Sequence, residues 1–309
     1  MIYTVTLNPA LDKTVDISNF AVDTVNRISA LRTDPGGKGI NVSKVVAKLG
    51  GTSRALGILG GNTGHAIAEG LERMGLECSF LYTDGETRTN LKIIDPVGHT
   101  NTDINEPGLE VTEIVLNALL GQLKAMLHPG DIVVLAGSLP KGAPHDTYRT
   151  WVATCKDAGA KVFLDADGDL LADGLKALPF LVKPNNDELS RLVGRKLDTV
   201  EDLAAAARNL LNSGVEKVIV SMGGRGALYV TRDAIIYAEG LRVPVGSTVG
   251  AGDSVVAALA VAEDRGLPLE EAVRLSTATG AANVMCSGTQ AAEYSVIEEL
   301  MPKVVFHKL

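Results

Sequence analysis

Two hydrophobic periods alternate along the chain. Ile2 to Leu7 is a short β-branched run that predicts a strand. Val42, Val45, Val46 and Leu49 recur at i, i+3, i+4 and i+7 and stop before Gly50, which predicts a helix over about 39–49. Ile67, Leu71 and Met74 repeat that arrangement ahead of Gly75. Ile132–Ala136, Val162–Asp165, Phe180–Val182 and Val218–Ser221 read as further buried strands with helices between them. Thr199 and Asp202 are spaced as in a capping box and introduce a helical face of Leu203, Ala206, Leu210 and Leu211 that ends at Gly214. From Ser254 onward the pattern is mostly helical. Strands alternating with helices predict the α/β class, with parallel strands joined by crossover helices.

Two stretches break this rhythm. About 12–34 and about 88–107 are polar, alternating and turn-rich, with few residues suited to a buried sheet. They predict antiparallel strands outside the main core, forming a small cover over a cleft where ligand loops lie. No internal repeat or linker divides the rest, so one domain is expected over 1–309.

Hydrophobic residues at 46% and charged residues at 21% supply a large core and exclude a disordered chain. The formal charge is 29 − 37 = −8, no run of Lys or Arg occurs, and aromatics are only 4%, so no nucleic acid partner is expected. The longest wholly apolar run, Val255–Ala262, is far below the roughly 20 residues of a bilayer span. No basic leader precedes the first strand, so the cytoplasm is the expected location, away from any membrane. Cys78, Cys155 and Cys286 are scattered and read as reduced thiols, and the histidines show no metal-ligand spacing.

The excess of glycine, 33 of 309 residues, sits in short clusters, and these carry the candidate chemistry. Ser247-Thr248-Val249-Gly250-Ala251-Gly252-Asp253-Ser254 is a loop entering a helix. Its bare amides and the helix N-terminus can hold an anion, with Asp253 as a base beside it; the same residues also suit an ordinary helix cap. Pro35-Gly36-Gly37-Lys38-Gly39-Ile40-Asn41 likewise precedes a helix and allows backbone contact with a polar ligand, Lys38 being a point charge for phosphate. Asn8-Pro9-Ala10-Leu11-Asp12 turns after the first strand and lifts Asp12 toward the ligand side of a parallel sheet. Lys183-Pro184-Asn185-Asn186-Asp187-Glu188 follows a strand. Asn185 and Glu188, three apart, can hold a hydrated Mg²⁺ through water or simply cap a helix. Ser221-Met222-Gly223-Gly224-Arg225-Gly226 is another turn able to pass near a nucleotide. The P-loop, the dinucleotide fingerprint, the protein-kinase motifs, H-E-x-x-H and G-x-S-x-G are all missing.

In order and spacing these pieces resemble the PfkB family of ribokinase-like carbohydrate kinases, from Thr4 through Thr289. The resemblance rests on TLNPALD at 6–12, GGKGIN at 36–41, TRTN at 87–90, AGSLPKG at 136–142, KPNNDE at 183–188, SMGGRG at 221–226 and STVGAGDS at 247–254. It implies a three-layer sandwich around a mainly parallel sheet, with a small β lid through which relatives pair, so a homodimer is expected. It implies ATP-dependent phosphorylation, with Mg²⁺, of a ketohexose phosphate. TLNPALD, GGKGIN and TRTN look most like the branch that acts on fructose 1-phosphate, with the tagatose 6-phosphate branch next. Carried across, Asp253 is the base and the amides of Gly250, Ala251 and Gly252 are the anion hole. Asp12, Gly37, Lys38, Asn41, Arg88 and Ser138 face the sugar phosphate, with Lys38 and Arg88 toward its phosphate. Lys183, Asn185, Ser221, Gly223, Gly226 and Thr248 lie on the nucleotide side, and Glu188 meets Mg²⁺ through water.

Two departures stand out. Ala166-Asp167-Gly168-Asp169 is richer in carboxylates than the small hydroxyl-bearing turn of many relatives. Asp103 stands where some phosphofructokinase relatives have a basic residue, which counts against fructose 6-phosphate as acceptor. The competing expectation from another class is a non-catalytic sugar-binding protein, which would consume no ATP.

Overall fold

The computed structural model describes residues 1–309 and contains two sheets. The larger has ten strands in the spatial order Phe306–Lys308, Ile235–Glu239, Gly226–Val230, Lys217–Ser221, Leu181–Val182, Lys161–Asp165, Ile132–Ala136, Ile2–Thr6, Ser53–Leu59 and Glu77–Tyr82. From Lys217–Ser221 to Glu77–Tyr82 every pairing is parallel; the three strands beyond Lys217–Ser221 are antiparallel.

Burial on both faces explains the continuous apolar strands. Along Ile132–Ala136, Val133 and Leu135 pack into one core with helices Glu113–Met126, Thr147–Asp157 and Val200–Asn212. Ile132, Val134 and Ala136 pack into a second core with helices Lys38–Lys48, Ala251–Asp264 and Leu269–Val284. The result is the expected layering of helices on each side of a mostly parallel sheet. Each fully buried Val or Leu contributes about 1.5–3 kcal/mol.

Several boundaries move by a residue. The helix expected over 39–49 spans Lys38–Lys48, and the helix after Thr199 spans Val200–Asn212 with the Thr199 hydroxyl accepting from the Asp202 amide at 3.0 Å. Met74 does not join Ile67 and Leu71 in the core but is 50% exposed, because it caps the C-terminus of helix Gly61–Arg73. The strands Ser53–Leu59 and Glu77–Tyr82 and the hairpin Gly226–Glu239 add to those read from the pattern.

The polar stretches form the second sheet, Ala30–Gly36, Ala10–Asp16, Arg88–Asp95 and Thr100–Asn105 in that order. The expectation of purely antiparallel strands is corrected here: the central pair, Ala10–Asp16 and Arg88–Asp95, runs parallel, with antiparallel partners outside. Both central strands leave the main sheet in the same direction, so they cannot close as a hairpin. No helix is long and apolar enough to cross a membrane.

Candidate active site

Ile2–Thr6 has Ser53–Leu59 on one side and Ile132–Ala136 on the other. The crossovers therefore diverge at this strand, and the carboxyl edge there is where open α/β sheets bind ligands. A cleft of about 410 Å³ lies at that point. Thr6, Asn8, Gly137 and Ser138 line it from the main sheet; Asp12, Thr14, Arg88, Asn90, Lys92, Asp103 and Asn105 line it from the small sheet.

Helix Ala251–Asp264 closes the cleft with its first turn. Gly250 precedes it with φ 79°, a left-handed conformation that an L side chain resists. Asp253 is 7% exposed, and its carboxylate accepts a 2.8 Å hydrogen bond from the Asn41 side-chain amide. Burial, with the charge of Asp165 in support, pushes the Asp253 carboxyl up to about 6 against the opposing pull of Lys38, Asn41 and Lys183. The Ala251 amide makes a long 3.4 Å bond to the Thr248 carbonyl, whereas the amides of Gly250 and Gly252 meet no backbone carbonyl. Such N–H groups at a helix start are anion donors.

Asp165 ends the strand Lys161–Asp165 and is a member of the site that sequence reasoning missed. Its Oδ1 lies 3.3 Å from Lys38 Nζ and 3.6 Å from Lys183 Nζ. Burial alone would raise its pKa, but the two ammonium groups hold it below the usual carboxylate range. In return the carboxylates of Asp165, Asp253 and Asp167 hold Lys38 protonated in spite of its own burial.

A second cleft of about 610 Å³ lies on the other side of the same turn. Asn185, Ser221, Gly223, Gly226 and Thr248 line it, with apolar walls from Val243, Val245, Val255 and Val284. The turn is divided between the clefts: Val249, Gly250 and Asp253 line the first, while Thr248, Ala251 and Gly252 line the second. Lys183 sits between them, its ammonium 3.2 Å from where a Cβ on Gly252 would lie.

Asp12, Gly37, Lys38, Asn41, Arg88, Ser138, Gly250 and Asp253 thus come together in one cleft, and the residues expected on the nucleotide side, apart from Lys183, in the other. Asp103 and Asp167 also reach the first cleft. Glu188 lines neither. It completes a capping box, its Oε2 accepting from the Asn185 amide at 2.8 Å and its own amide donating to Asn185 Oδ1 at 2.8 Å. No group of three or more His, Cys, Asp or Glu side chains is gathered to hold a metal ion. With one Glu188 oxygen outside the cap, this chemistry fits a hydrated ion held chiefly by nucleotide phosphates.

Arg88 donates to the carbonyls of Pro9, Glu106 and Asn8 at 3.4, 3.2 and 2.9 Å, which leaves two of its five N–H groups for a ligand. Arg88, Asn90 and Lys92, at alternate positions, share one face of their strand and line the cleft, which Leu91 also reaches. That period was the available signal for Asn90 and Lys92. Of the five buried side-chain polar atoms without a partner, Asn41 Oδ1, Asn90 Oδ1 and Thr289 Oγ1 belong to residues lining this cleft, and Arg32 Nη2 lies at its edge against Gly288. Buried polar atoms gathered at one opening and free of protein partners suit a polar ligand or ordered water there.

Comparison with known proteins places the chain in a family. A model described as "pfkB family carbohydrate kinase" matches residues 5–295. The chain belongs to the pfkB family of carbohydrate kinases. It is 40% identical over 309 residues to a protein of Bacillus subtilis (strain 168) named 1-phosphofructokinase, with 100% of each chain covered. It is 43% identical over 281 residues to a 1-phosphofructokinase of Xanthomonas campestris pv. campestris, covering 89% of this chain and 88% of the relative. The crystal structure of phosphofructokinase-2 from Escherichia coli in complex with substrates and products superposes with a TM-score of 0.94 at 32% identity, covering 98% of each chain. This pfkB protein is an ATP-dependent sugar-phosphate kinase with a ribokinase-like fold. A non-catalytic sugar-binding protein is thereby set aside.

Proposed function

We propose that this kinase transfers the γ-phosphoryl group of ATP to fructose 1-phosphate, giving fructose 1,6-bisphosphate. The observation that carries the chemistry is the turn 248–253, which offers a buried carboxylate to one cleft and the start of the same helix to the other. The names of the relatives at 40% and 43% identity favour fructose 1-phosphate over tagatose 6-phosphate, the second reading. Asp103, which stands where some phosphofructokinase relatives have a basic residue, lines the sugar cleft, and that departure counts against fructose 6-phosphate.

Phosphoryl transfer asks chiefly for positioning and charge neutralisation. The sugar would lie over Asp12, Gly37, Asn41 and Ser138, and the nucleotide along Asn185, Ser221, Gly223, Gly226 and Thr248. Asp253 takes the proton of the attacking sugar hydroxyl, and its raised pKa makes it the stronger base of the two buried carboxylates. The amides of Gly250 and Gly252 and the ammonium of Lys183 face the charge that develops on the transferring group. Lys38, held beside Asp165 and Asp253, belongs at this end of the sugar, and the free N–H groups of Arg88 serve the phosphate that the sugar already bears. Bound Mg²⁺ would neutralise nucleotide phosphate charge, with Glu188 meeting it through water.

The small sheet acts in this reading as a lid that excludes water during transfer. The segment joining its first two strands exposes Val22, Val25 and Ile28, and Leu31 and Ile104 stand out on its two edge strands, an apolar surface suited to pairing two lids in a homodimer. A cytoplasmic setting accords with reduced thiols.

The test is steady-state kinetics with ATP and Mg²⁺ on fructose 1-phosphate, tagatose 6-phosphate and fructose 6-phosphate. The highest kcat/KM is expected for fructose 1-phosphate, with slow ATP hydrolysis when sugar is omitted. A higher kcat/KM for tagatose 6-phosphate selects the second reading, and rapid futile hydrolysis rejects the closing lid.

A further inference from the structure

The small sheet presents its cleft side in cross-strand rows. One row runs Asp34, Asp12, Asn90 and Asn105, a set of carboxylates and amides suited to sugar hydroxyls. The next runs Arg32, Thr14, Lys92 and Asp103. Residues opposite one another in a sheet share a face, so this second row sets a hydroxyl between two cations.

The cations of the cleft differ in how far they are already spent. Lys38 is committed to Asp165 at 3.3 Å, and Arg88 is braced by three backbone carbonyls. Lys92 is 15% exposed, and the carboxylate nearest it, on Asp103, stands 4.0 Å away, too far for a hydrogen bond. Arg32 gives its Nε to Asp34 at 2.6 Å, while its Nη2 is buried without a partner. That nitrogen lies 1.8 Å from where a Cβ on Gly288 would stand, and Thr14 Oγ1 is 3.4 Å from the same point, so guanidinium and hydroxyl meet at a residue that lines the cleft.

Charge balance shows what the row is for. Four carboxylates line the cleft, Asp12, Asp103, Asp167 and Asp253, against three cations, Lys38, Arg88 and Lys92. A phosphate monoester adds about −1.5 to −2 more. With Lys38 engaged at the catalytic end, the half-spent guanidinium of Arg88 cannot neutralise that group alone. We propose that Lys92, with Arg32 across the Thr14 hydroxyl, is a second anchor for the phosphate that the sugar brings in, and that this row makes the enzyme select a phosphorylated ketohexose over the free sugar. Asp103 holds Lys92 loosely in place until the phosphate replaces it. The inference rests on the sugar-phosphate reading of the cleft but not on which ketohexose phosphate is used.

The experiment compares wild type with Lys92→Met, Lys92→Arg and Arg32→Met on two acceptors, fructose 1-phosphate and unphosphorylated fructose. A charged hydrogen bond lost from phosphate raises the KM for fructose 1-phosphate on the order of tenfold to a hundredfold. In Lys92→Met that rise is expected with the KM for ATP and the kcat/KM for fructose both within about threefold of wild type. Lys92→Arg should restore most of the affinity, and Arg32→Met should show a smaller rise of the same kind. A KM for fructose 1-phosphate that barely moves in Lys92→Met overturns the proposal, as does equal loss toward both acceptors, which marks a structural residue. If wild type prefers tagatose 6-phosphate, the same comparison run with that sugar and free tagatose judges the anchor separately from the substrate assignment.

Discussion

The side-chain amide of Asn41 donates a 2.8 Å hydrogen bond to the carboxylate of Asp253, 212 residues further along the chain. Asn41 comes from the first helix after the GGKG turn and Asp253 from the first turn of the helix after GAGD, so this contact joins the two glycine clusters at the reacting end of the sugar cleft.

Asp253→Asn keeps that shape and removes the base. Turnover is expected to fall on the order of 10²–10⁴, with the KM for ATP little changed. Stability should not fall. Burial lifts the wild-type carboxyl from 3.8 to about 6, so keeping it ionised at neutral pH costs the fold on the order of 1–3 kcal/mol that the amide avoids. Calorimetry alongside kinetics checks both halves; near-normal turnover rejects Asp253 as the base.

The same raised pKa sets a pH dependence. Asp253 must be ionised to accept a proton, so kcat/KM should decline below an apparent pKa near 6 with a slope of one. An ordinary carboxylate would keep the rate flat down to about pH 4. A profile flat to that point in wild type would remove the desolvated base from the mechanism, and the limb should be missing from the residual rate of Asp253→Asn.

Much of this site was legible because its motifs are local. The TLNPALD, GGKGIN and STVGAGDS segments each place a turn at the end of a strand or the start of a helix, and such turns land on the ligand edge of a parallel sheet. Asp165 left no such trace: it reads as the last residue of an apolar strand, and its partner Lys38 is 127 residues away. The parallel pairing of Ala10–Asp16 with Arg88–Asp95 was hidden for the same reason, since strand pairing across some seventy residues depends on the path of the chain between them. Lys92 was accessible from the alternation of its strand, but a period of two leaves undecided which face meets the cleft.

Asp165→Asn tests the charge network. The substitution leaves Lys183, with a side chain 7% exposed, without its counter-ion, while Lys38 at 35% exposure can partly rehydrate. The expected destabilisation is about 3 kcal/mol, the low end for a buried charge left unpaired. Because the folded-state pKa of Asp165 is depressed, its stabilisation is present above the unfolded value near 4 and is lost as pH falls through the lowered folded value. The gap in melting temperature between wild type and variant should therefore be full at pH 7 and narrow in acid. A constant gap across that range would mean that the two lysines are not what holds Asp165 ionised.

Glu188 has two candidate roles, and one substitution separates them. Its Oε2 closes the capping box with the Asn185 amide, and glutamine at the same position can make that bond. Glu188→Gln should accordingly melt within about 1 kcal/mol of wild type. What it removes is negative charge beside the nucleotide cleft, the property that a hydrated Mg²⁺ would use. If Glu188 meets the ion through water, the Mg²⁺ concentration for half-maximal activity should rise on the order of tenfold while activity at saturating Mg²⁺ recovers in large part. Glu188→Ala supplies the contrast: it loses cap and charge together, so it should show the same Mg²⁺ dependence plus about 1 kcal/mol of instability. Unchanged Mg²⁺ dependence in Glu188→Gln would confine this residue to capping its helix.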